Sequence, residues 1–321
     1  MKYRYLSFVL FVFFCVAGCR TADDSVPVIG FVDAFQDETI SQARVGFIAA
    51  LEERGFSENK NTVRIQYRNA QGDIPTLTQI VNYFISEKVD LIASNTTIAT
   101  ITAIQRTSEI PVFMMVSPEP KMMNIVNDAG DAPENLFGVS ETLDYIDTAF
   151  ALIPEFVSPK KDKIVVGMVY NQAEPQSINA LERMRENAGR LGVIIEALPL
   201  NNSSEAQMVT MSLLNKDIDA FFANPDNTVF AAFETIVKNC NEKNVPVFTS
   251  ESGLVERGAV AAFGADIYAW GYQAGEQAAT YLKNNKSAKI AIETVEIRKR
   301  VYNADVAKRF GYNFSTEFEA I

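Results

Sequence analysis

The sequence predicts an α/β protein with two similar lobes, each built on a parallel sheet, joined by a hinge. Short apolar runs typical of buried strands alternate along the chain with segments of helical spacing. Such alternation indicates βαβ units, in which helices cover a parallel sheet. The pattern stops near residues 136–141 and restarts at residue 163, which indicates two halves. With 321 residues and 48% hydrophobic content, the chain is long enough for two cores.

The first half opens with a predicted strand at residues 27–31. A helix follows at residues 40–54 and ends before Gly55, a suitable C-cap. Runs of β-type residues predict further strands at residues 63–67, 89–93 and 111–115. Helical spacing of apolar residues predicts helices between them, at residues 74–87 and 98–107.

The second half repeats this order of elements. Apolar runs predict strands at residues 163–169, 193–198 and 218–222. Helices are predicted at residues 177–191, 205–214 and 229–241. A second parallel sheet with its own helices therefore follows the first.

Two strand ends late in the second half mark a candidate binding site. A strand at residues 245–248 leads to Glu251, and Gly253 is predicted to let the chain turn there. A second β-type run at residues 259–264 leads to Asp266. In open α/β sheets, ligands bind outside the carboxyl ends of the strands. Glu251 and Asp266 are therefore candidate ligand-binding residues in a cleft between the lobes.

Composition and charge exclude several classes of function. The formal net charge of −11 argues against a nucleic-acid partner, because binding phosphates requires clustered Lys and Arg. The longest basic run, Arg298-Lys299-Arg300, is predicted to be a solvated strand end. The chain contains no histidine, which removes His-based triads and His metal sites. No glycine-rich phosphate loop, zinc pattern or nucleophile elbow is present, so we expect no cofactor, no metal ion and no enzyme.

The first residues predict export and lipid anchoring. Two basic residues precede an apolar segment at residues 6–16, which has signal-peptide length and is too short to span a membrane. A lipobox-like run ends at Cys19, so residues 1–18 are a predicted signal peptide and residues 19–26 a lipidated tether. We expect an extracytoplasmic protein that is anchored to a bacterial membrane by Cys19.

Cysteine usage leaves one thiol in the mature protein. Cleavage removes Cys15 and acylation uses Cys19, so only Cys240 remains and no intrachain disulfide is predicted. Cys240 lies in a helical pattern, which is typical of a small core residue.

Polar residues at a predicted strand end of the first half are candidate ligand contacts. Ser94, Thr96 and Thr97 stand where a strand gives way to a helix. Free backbone N–H groups and the helix dipole favour an anion such as a carboxylate at a helix start. A helix cap by Ser94 or Asn95, without any ligand, is an equally good interpretation. Glu119, between two prolines, adds an acid near the predicted cleft.

The loop after the first strand of the second half is unusually polar. It contains Tyr170, Asn171, Glu174 and Ser177, and it leads into a helix. This composition suits ligand contact. Glu174 and Ser177 also suit a helix cap on their own account.

Asp226, with Asn227 beside it, follows the strand that ends at residue 222, and we predict that it pairs with a ligand ammonium. A buried carboxylate needs a partner, because desolvating an unpaired charge is costly. A helix N-cap with no ligand is the alternative for Asp226.

Five aromatic residues are candidates for the cleft walls, and a core position is the alternative for each. They are Phe35, Phe137, Tyr170, Tyr268 and Trp270.

Several motifs are informative jointly. They are Val169-Tyr170-Asn171 with Glu174 and Ser177, Pro225-Asp226-Asn227-Thr228, Pro246-Val247-Phe248, Arg257-Gly258-Ala259, and Gly264-Ala265-Asp266 with Gly271 and Gly275. The first half agrees more loosely, through Ser94-Asn95-Thr96 and Glu119-Pro120. Together they resemble the ABC-transporter substrate-binding family that includes the tryptophan- and tyrosine-type binding lipoproteins.

The resemblance implies a type I periplasmic-binding-protein architecture, with two Rossmann-like lobes joined by three crossovers. Lobe 1 would take residues 27–142 plus 268–296, and lobe 2 residues 143–267 plus 297–321. The protein would be a monomer that captures an amino acid, with aromatic ones favoured, in the interlobe cleft by hinge closure. It would deliver this ligand to an ABC permease in the membrane.

The resemblance also implies roles for the candidate residues. Thr96 and Thr97, with the loop at Ser177, would hold a carboxylate. Asp226 would hold the amine, with Asn227 in support. Glu251 and Asp266 match polar positions of lobe 2 and the hinge.

Two departures from the family pattern bear on ligand identity. The loop at Asp33 lacks the histidine expected near it, and bulky residues at 121–124 replace small ones. Both are predicted at the cleft entrance.

The residues leave three other functions open. A receptor for a nucleoside, riboflavin or another ring compound would show stacking aromatics on both sides of the cleft and no charged clamp. A sensory binding lipoprotein without transport would lack a neighbouring permease gene. A carboxylate enzyme of the glycosidase kind is the least favoured, because the acids are scattered and form no close pair.

Overall fold

The computed structural model describes residues 26–284 and 290–321, which form two α/β lobes, each built on one sheet. The α/β class predicted from the sequence is confirmed. The predicted signal peptide and Cys19 lie outside the described residues. In the described part of the chain, no helix has both the length and the apolar character needed to cross a bilayer.

The strands alternate with helices along most of the chain. The strands are β1 (Val28–Asp33), β2 (Arg64–Asn69), β3 (Leu91–Asn95), β4 (Val112–Pro118), β5 (Leu136–Glu141), β6 (Val165–Tyr170), β7 (Ile194–Pro199), β8 (Ala220–Ala223), β9 (Val247–Thr249), β10 (Ala261–Ala265), β11 (Glu293–Thr294), β12 (Arg298–Tyr302) and β13 (Glu319–Ala320). The helices are α1 (Glu38–Glu53), α2 (Ile74–Ser86), α3 (Thr97–Arg106), α4 (Asp144–Phe156), α5 (Pro175–Leu191), α6 (Ala206–Leu214), α7 (Asn227–Ala231), α8 (Phe233–Glu242), α9 (Ser252–Glu256), α10 (Ile267–Lys283) and α11 (Ala304–Phe310).

The two sheets define the lobes used below. Lobe 1 carries the sheet β11-β5-β4-β3-β1-β2, in which every recorded pair is parallel. Lobe 2 carries the sheet β13-β12-β10-β9-β8-β6-β7, which is parallel except where β12 runs against β10. Buried apolar side chains cover both faces of each sheet. Helices on both faces explain why the central strands are continuous apolar runs.

The chain passes between the lobes three times. It crosses from β5 to α4, which packs on β9 and β10, and returns from β10 to α10, which packs on β4 and β5. It crosses again from β11 to β12. The segments contact one another, since the Asp266 N–H donates to the Ile297 oxygen and Arg298 pairs with Glu141, and they form the predicted hinge region.

Helices α1 and α10 pack closely in lobe 1 because glycines stand at their contact. A Cβ on Gly271 would lie 1.8 Å from the Ala43 carbonyl oxygen, and one on Gly46 would lie 2.0 Å from the Tyr268 oxygen. The backbones could not approach in this way with larger residues at these positions. Asp37 sets the start of α1, since its side chain accepts from the Ile40 N–H at 2.9 Å.

Two local predictions for lobe 2 are wrong. The segment 229–241 was expected to be one helix, but α7 and α8 meet at Ala232, which has the non-helical angles φ −101° and ψ 3°. Gly253 was expected to form a turn, but it lies inside α9. Its missing side chain makes room for lobe 1, because a Cβ there would lie 2.4 Å from Thr39 Cγ2.

The basic run at residues 298–300 is not simply solvated, as the sequence suggested. It forms most of β12, and all three side chains are ion-paired: Arg298 with Glu141, Lys299 with Asp266, and Arg300 with Glu317. The first two pairs connect different crossover segments. The run therefore ties the hinge together.

Cys240 is a free, buried residue of α8, where burial raises the pKa of its thiol. Its place in the core of lobe 2 agrees with the packing role expected from the sequence.

Candidate functional site

Two layers of polar residues face each other between the lobes, at the carboxyl ends of the parallel strands. The layer of lobe 1 follows β1, β3 and β4, and that of lobe 2 follows β6, β8 and β9. Thr97 Oγ1 of lobe 1 donates to Gln176 Oε1 of lobe 2 at 2.9 Å. The layers therefore touch, and the lobes are closed on each other at the position where open α/β sheets bind ligands.

The lobe 1 layer is centred on the end of β3. Ser94, Thr96 and Thr97 are all fully buried there. Asn95 Nδ2 donates to Asp33 Oδ1 at 2.7 Å, which joins β3 to β1. The N-cap of α3 is Thr96, and its side chain makes no capping bond, so neither Ser94 nor Asn95 caps the helix. These polar side chains are thus not consumed by capping.

Thr96 has an unusual backbone for a β-branched residue. Its φ is +82°, in the region that favours glycine, and its buried Oγ1 has no hydrogen-bond partner among the described residues. Strained backbone of this kind clusters at ligand sites, where the surrounding fold holds it in place. Val116, at the irregularity of β4, also has a positive φ of 50°. Both belong to the cleft-facing end of the lobe 1 sheet.

Asp226 is the centre of the lobe 2 layer. Its Oδ1 accepts from the backbone N–H of Thr228 at 2.7 Å and of Val229 at 3.0 Å. Its Oδ2 accepts from Asn171 N at 2.7 Å and Ser177 Oγ at 2.5 Å. A carboxylate offers about four lone-pair sites, so protein donors occupy those of Asp226. Direct contact of Asp226 with a ligand ammonium stays a prediction, and it would require the displacement of one of these donors.

Glu174 lies next to Asp226 and shares its partners. Its Oε2 accepts from Asn227 Nδ2 at 2.8 Å, and its Oε1 accepts from Thr228 Oγ1 and Asn171 Nδ2 at 3.3 Å. The helix cap expected from its side chain is not formed, although Glu174 is the N-cap residue of α5. The side chain instead turns toward the start of α7.

Glu174 and Asp226 form a pair of buried acids in which burial disfavours the ionised form. Burial, and then the neighbouring Asp226 carboxylate, raise the pKa of Glu174 to about 8. Burial also raises the pKa of Asp226. Among the described residues, neither acid forms an ion pair with a lysine or arginine. A buried acidic pair in this condition favours a cationic ligand group.

Glu251, at the end of β9, is a third buried acid of the cleft. Tyr145 OH donates to its Oε1 at 3.0 Å, and Ser250 Oγ does so at 3.2 Å. Burial raises the pKa of Glu251 to about 7. Among the described residues, these donors contact Oε1 and not Oε2, so Oε2 is able to accept a hydrogen bond from a ligand.

Three predicted residues lie apart from these layers. Asp266 caps α10 through the Ala269 N–H at 3.0 Å and pairs with Lys299 at 2.6 Å. Glu119 is exposed and Tyr170 is half-buried. In residues 26–284 and 290–321, no three acidic or cysteine side chains are grouped to hold a metal ion.

Three grooves open between the lobes around the buried layers. One, of about 570 Å³, lies between the start of α1 and α9 and includes Asp266. Another, also of about 570 Å³, includes Glu119 on one side and Arg183 on the other. The third, of about 380 Å³, has Phe35 and Thr228 on opposite walls. Because Thr228 also contacts Glu174, the third groove leads to the acidic pair.

The aromatic candidates separate into two groups. Phe35 lines the third groove, and the exposed Tyr268 lines the groove beside α9. Phe137 packs on Phe113 at 5.2 Å between ring centroids, and Trp270 Nε1 donates to a backbone oxygen at 2.8 Å, both inside lobe 1. Phe137 and Trp270 are therefore core residues.

Sequence reasoning missed several residues of the interface. The sequence placed the loop at Asp33 at the cleft entrance and offered Asn95 as a helix cap, but it selected neither as a ligand contact, although both stand at strand ends. Arg257 contacts Asp37 across the lobes, and Glu141 binds Arg298 at 2.6 Å. No local pattern marks these two ion pairs, because their partners are far apart in the chain.

Comparisons with known proteins agree on one family. The sequence model described as "ABC transporter substrate binding protein" matches residues 25–318. A protein of Clostridioides difficile (strain R20291) named "Tyrosine-binding protein" is 30% identical over 280 residues, which cover 87% of this chain and 79% of that protein.

Two solved structures share the fold. A Streptococcus pneumonia ABC domain in complex with L-Trp has a TM-score of 0.81 at 23% identity, covering 91% of this chain and 97% of the other. The ligand-free, open structure of a Clostridium difficile substrate-binding protein with adhesive properties has a TM-score of 0.66 at 28% identity, covering 92% and 99%.

Proposed function

This chain belongs to the ABC transporter substrate-binding protein family, and on that premise we propose that it captures an aromatic amino acid between its lobes for an ABC importer. It is a solute-binding protein and not an enzyme, and its family acts outside the cytoplasm. The tyrosine-binding name of one relative and the L-Trp complex of another support an aromatic amino acid as the ligand.

The observation that carries the proposal is a set of buried acids between the lobes that form no ion pair with a lysine or arginine in residues 26–284 and 290–321. Glu174, Asp226 and Glu251 are each at most 2% exposed. A ligand ammonium would supply the missing positive charge and offset the cost of burying carboxylates. We propose that it binds at Glu251 Oε2 or at the Glu174–Asp226 pair, with Asn227 and Asn171 holding that pair in place.

The ligand carboxylate is proposed to bind on the opposite side of the cleft. The start of α3 at Thr96 and Thr97 favours an anion, since the first N–H groups of a helix lack partners within it. Ser94 supports this strand end, and Ser177 completes the site from lobe 2. Tyr170, Glu119 and Asp266 are proposed to act at the edges of the cleft, where the ligand enters and the hinge bends.

Capture is proposed to work by hinge closure. A ligand that contacts both lobes binds the closed arrangement more tightly than the open one, so it shifts the population toward closure. The closed protein would then be the form that an ABC permease receives. The second candidate, a nucleoside or flavin receptor, is less favoured, because two of the five aromatic candidates belong to the core of lobe 1.

A thermal-shift screen tests the ligand class. L-tyrosine or L-tryptophan is expected to raise the midpoint of unfolding, since a ligand of the folded state stabilises it by about 2.7 kcal/mol at a hundredfold excess over Kd. The deaminated analogues are expected to give a smaller shift than the amino acids, and riboflavin is expected to give none. A shift with riboflavin or a nucleoside, and none with any amino acid, would contradict the proposal.

We also propose that the protein is a monomer anchored through Cys19. The signal-like segment and the lipobox-like run support the anchor. Mass spectrometry of the mature protein from its native membrane is expected to find an acylated N-terminal Cys19. An unmodified Cys19, or a mature N-terminus elsewhere, would refute the anchor.

A further inference from the structure

Arg257 joins the lobes with a fully used guanidinium group. Within lobe 2, its Nε and Nη2 donate to Glu234 at 2.7 and 3.0 Å, and Nη2 also donates to the Phe230 oxygen at 2.8 Å. Across the interface, its Nη1 donates to Asp37 Oδ2 at 2.7 Å and to Thr39 Oγ1 at 3.1 Å. Arginine has five N–H donors, so each has a partner in the closed protein.

The contact between Arg257 and Asp37, which crosses the lobes, is the part of this network that is buried from solvent. The side chains of Arg257 and Asp37 are 14% and 2% exposed, whereas that of Glu234 is 68% exposed. Charge pairs removed from water depend much more on their partner than exposed pairs do. Separating the lobes would break the Arg257–Asp37 pair and leave the Glu234 contact intact.

The surroundings of Arg257 are shaped for close approach of the lobes. Gly253 of α9 faces Thr39, and a Cβ at residue 253 would collide with that threonine. Phe233 supports the guanidinium from lobe 2, with its ring centroid 5.4 Å away. The guanidinium is therefore held by lobe 2 in position to meet the start of α1.

We infer that Arg257 is a positioning residue for ligand capture: through Asp37 and Thr39 it stabilises the closed arrangement and so raises affinity. The inference rests on the proposed capture of a ligand between the lobes. The apparent Kd equals the intrinsic Kd divided by the fraction of protein in the binding-competent state, so a smaller closed fraction gives weaker apparent binding. A latch that favours closure therefore strengthens binding without being one of the proposed ligand contacts.

The structure offers a variant that separates the latch from the fold. Asp37 uses Oδ1 to cap α1 through Ile40 N, and Oδ2 to bind Arg257. Asparagine is as good an N-cap as aspartate, so Asp37→Asn removes the charge and keeps the cap. Glu234→Gln is the matched control, because it also removes a carboxylate that binds Arg257, but within lobe 2.

The test measures L-tyrosine binding and the shape of the ligand-free full-length protein in detergent. Asp37→Asn is expected to weaken L-tyrosine binding about tenfold, a typical coupling for conformational equilibria, whereas Glu234→Gln changes it less than about twofold. In a double-mutant cycle, the effects of Arg257→Gln and Asp37→Asn on the free energy of L-tyrosine binding should be non-additive. Small-angle X-ray scattering without ligand should show a larger radius of gyration for Asp37→Asn than for Glu234→Gln.

The outcomes separate this inference from the proposed function. Parent-like affinity of Asp37→Asn, in a protein that unfolds at the parent temperature, would overturn the latch. If the parent binds no amino acid, the proposed function fails and the scattering decides alone. A radius equal to that of the parent would then overturn the latch, and a larger one would support it.

Discussion

Replacing Asp226 with alanine is expected to weaken L-tyrosine binding by at least about 100-fold and to lower the free energy of unfolding by about 3 kcal/mol. The variant leaves four donors without their acceptor: Thr228 N, Val229 N, Asn171 N and Ser177 Oγ. The loss of stability is expected because this carboxylate ties the end of β6 to the starts of α5 and α7.

The asparagine variant distinguishes the two roles of Asp226. Asp226→Asn keeps the cap of α7 and removes the negative charge. If the charge acts on the ligand amine, the variant loses affinity for L-tyrosine but not for its deaminated analogue. If Asp226 only organises the loops, both compounds lose affinity equally. Isothermal titration calorimetry with the two compounds measures the difference.

Asp219→Asn is the matched control for Asp226. Asp219 is also buried in lobe 2 and accepts two backbone bonds, from Lys160 N at 3.0 Å and Val165 N at 2.8 Å. It precedes β8, at the end of the sheet away from the cleft. The Asp219→Asn variant should lower the free energy of unfolding and leave the affinity for L-tyrosine unchanged. If Asp226→Ala bound L-tyrosine as tightly as the parent, the assignment of the loop between β8 and α7 to the binding site would be wrong.

Affinity for L-tyrosine is expected to rise by about tenfold per pH unit as the pH increases toward 7. Burial raises the pKa of Glu251 to about 7 and that of Glu174 to about 8. A ligand ammonium pairs with an ionised carboxylate, so binding below these values must release a proton. Titrations at pH 6 in buffers of different ionisation enthalpy should therefore detect proton release that fades above pH 8.

The stability of the ligand-free protein should follow the opposite trend. Both carboxyl groups have folded pKa values above their ordinary ones, so the folded state holds more protons between about pH 4.5 and pH 8. The contribution of each group is complete below its unfolded pKa and is lost as the pH rises through the folded value. The loss is on the order of 1.4 kcal/mol per pH unit for each group.

Glu251→Gln provides the control for the pH dependence. The amide cannot titrate, so the variant should bind more weakly and lose the part of the pH dependence centred near pH 7. Asp90→Asn, which alters a carboxyl at the opposite end of the lobe 1 sheet, should retain the full dependence. Affinity that stays flat between pH 6 and pH 8 in the parent protein would show that neither acid meets the ammonium.

Much of the fold was predictable because it is encoded locally. Strands β1, β3, β6 and β8 are short apolar runs, and the helices that follow them have apolar residues at helical spacing. Local signals failed where the reason for a residue is non-local. Gly253 serves the approach of Thr39 rather than a turn, and Arg298 serves Glu141 rather than solvent.

The places in the fold of the candidate site residues were predictable, but their hydrogen-bond partners were not, and their ligand contacts stay predictions. The rule that ligands bind at strand ends selected Thr96, Glu174, Asp226 and Glu251, all of which are buried between the lobes. The rule could not distinguish a carboxylate that is saturated, as Asp226 is, from one with a free oxygen, as Glu251 has. That difference depends on how many donors the fold brings to each oxygen.

The sequence by itself determined the α/β class, the two halves and the polar strand ends, because periodicity and turn residues act over a few positions. Tertiary structure decided which polar groups are paired, which acids are left without a cation, and which residues hold the lobes together. Arg257 and Asp37 are separated by 220 positions in the chain, yet their side chains are 2.7 Å apart. Burial and hydrogen bonding depend on partners that only the folded chain brings together.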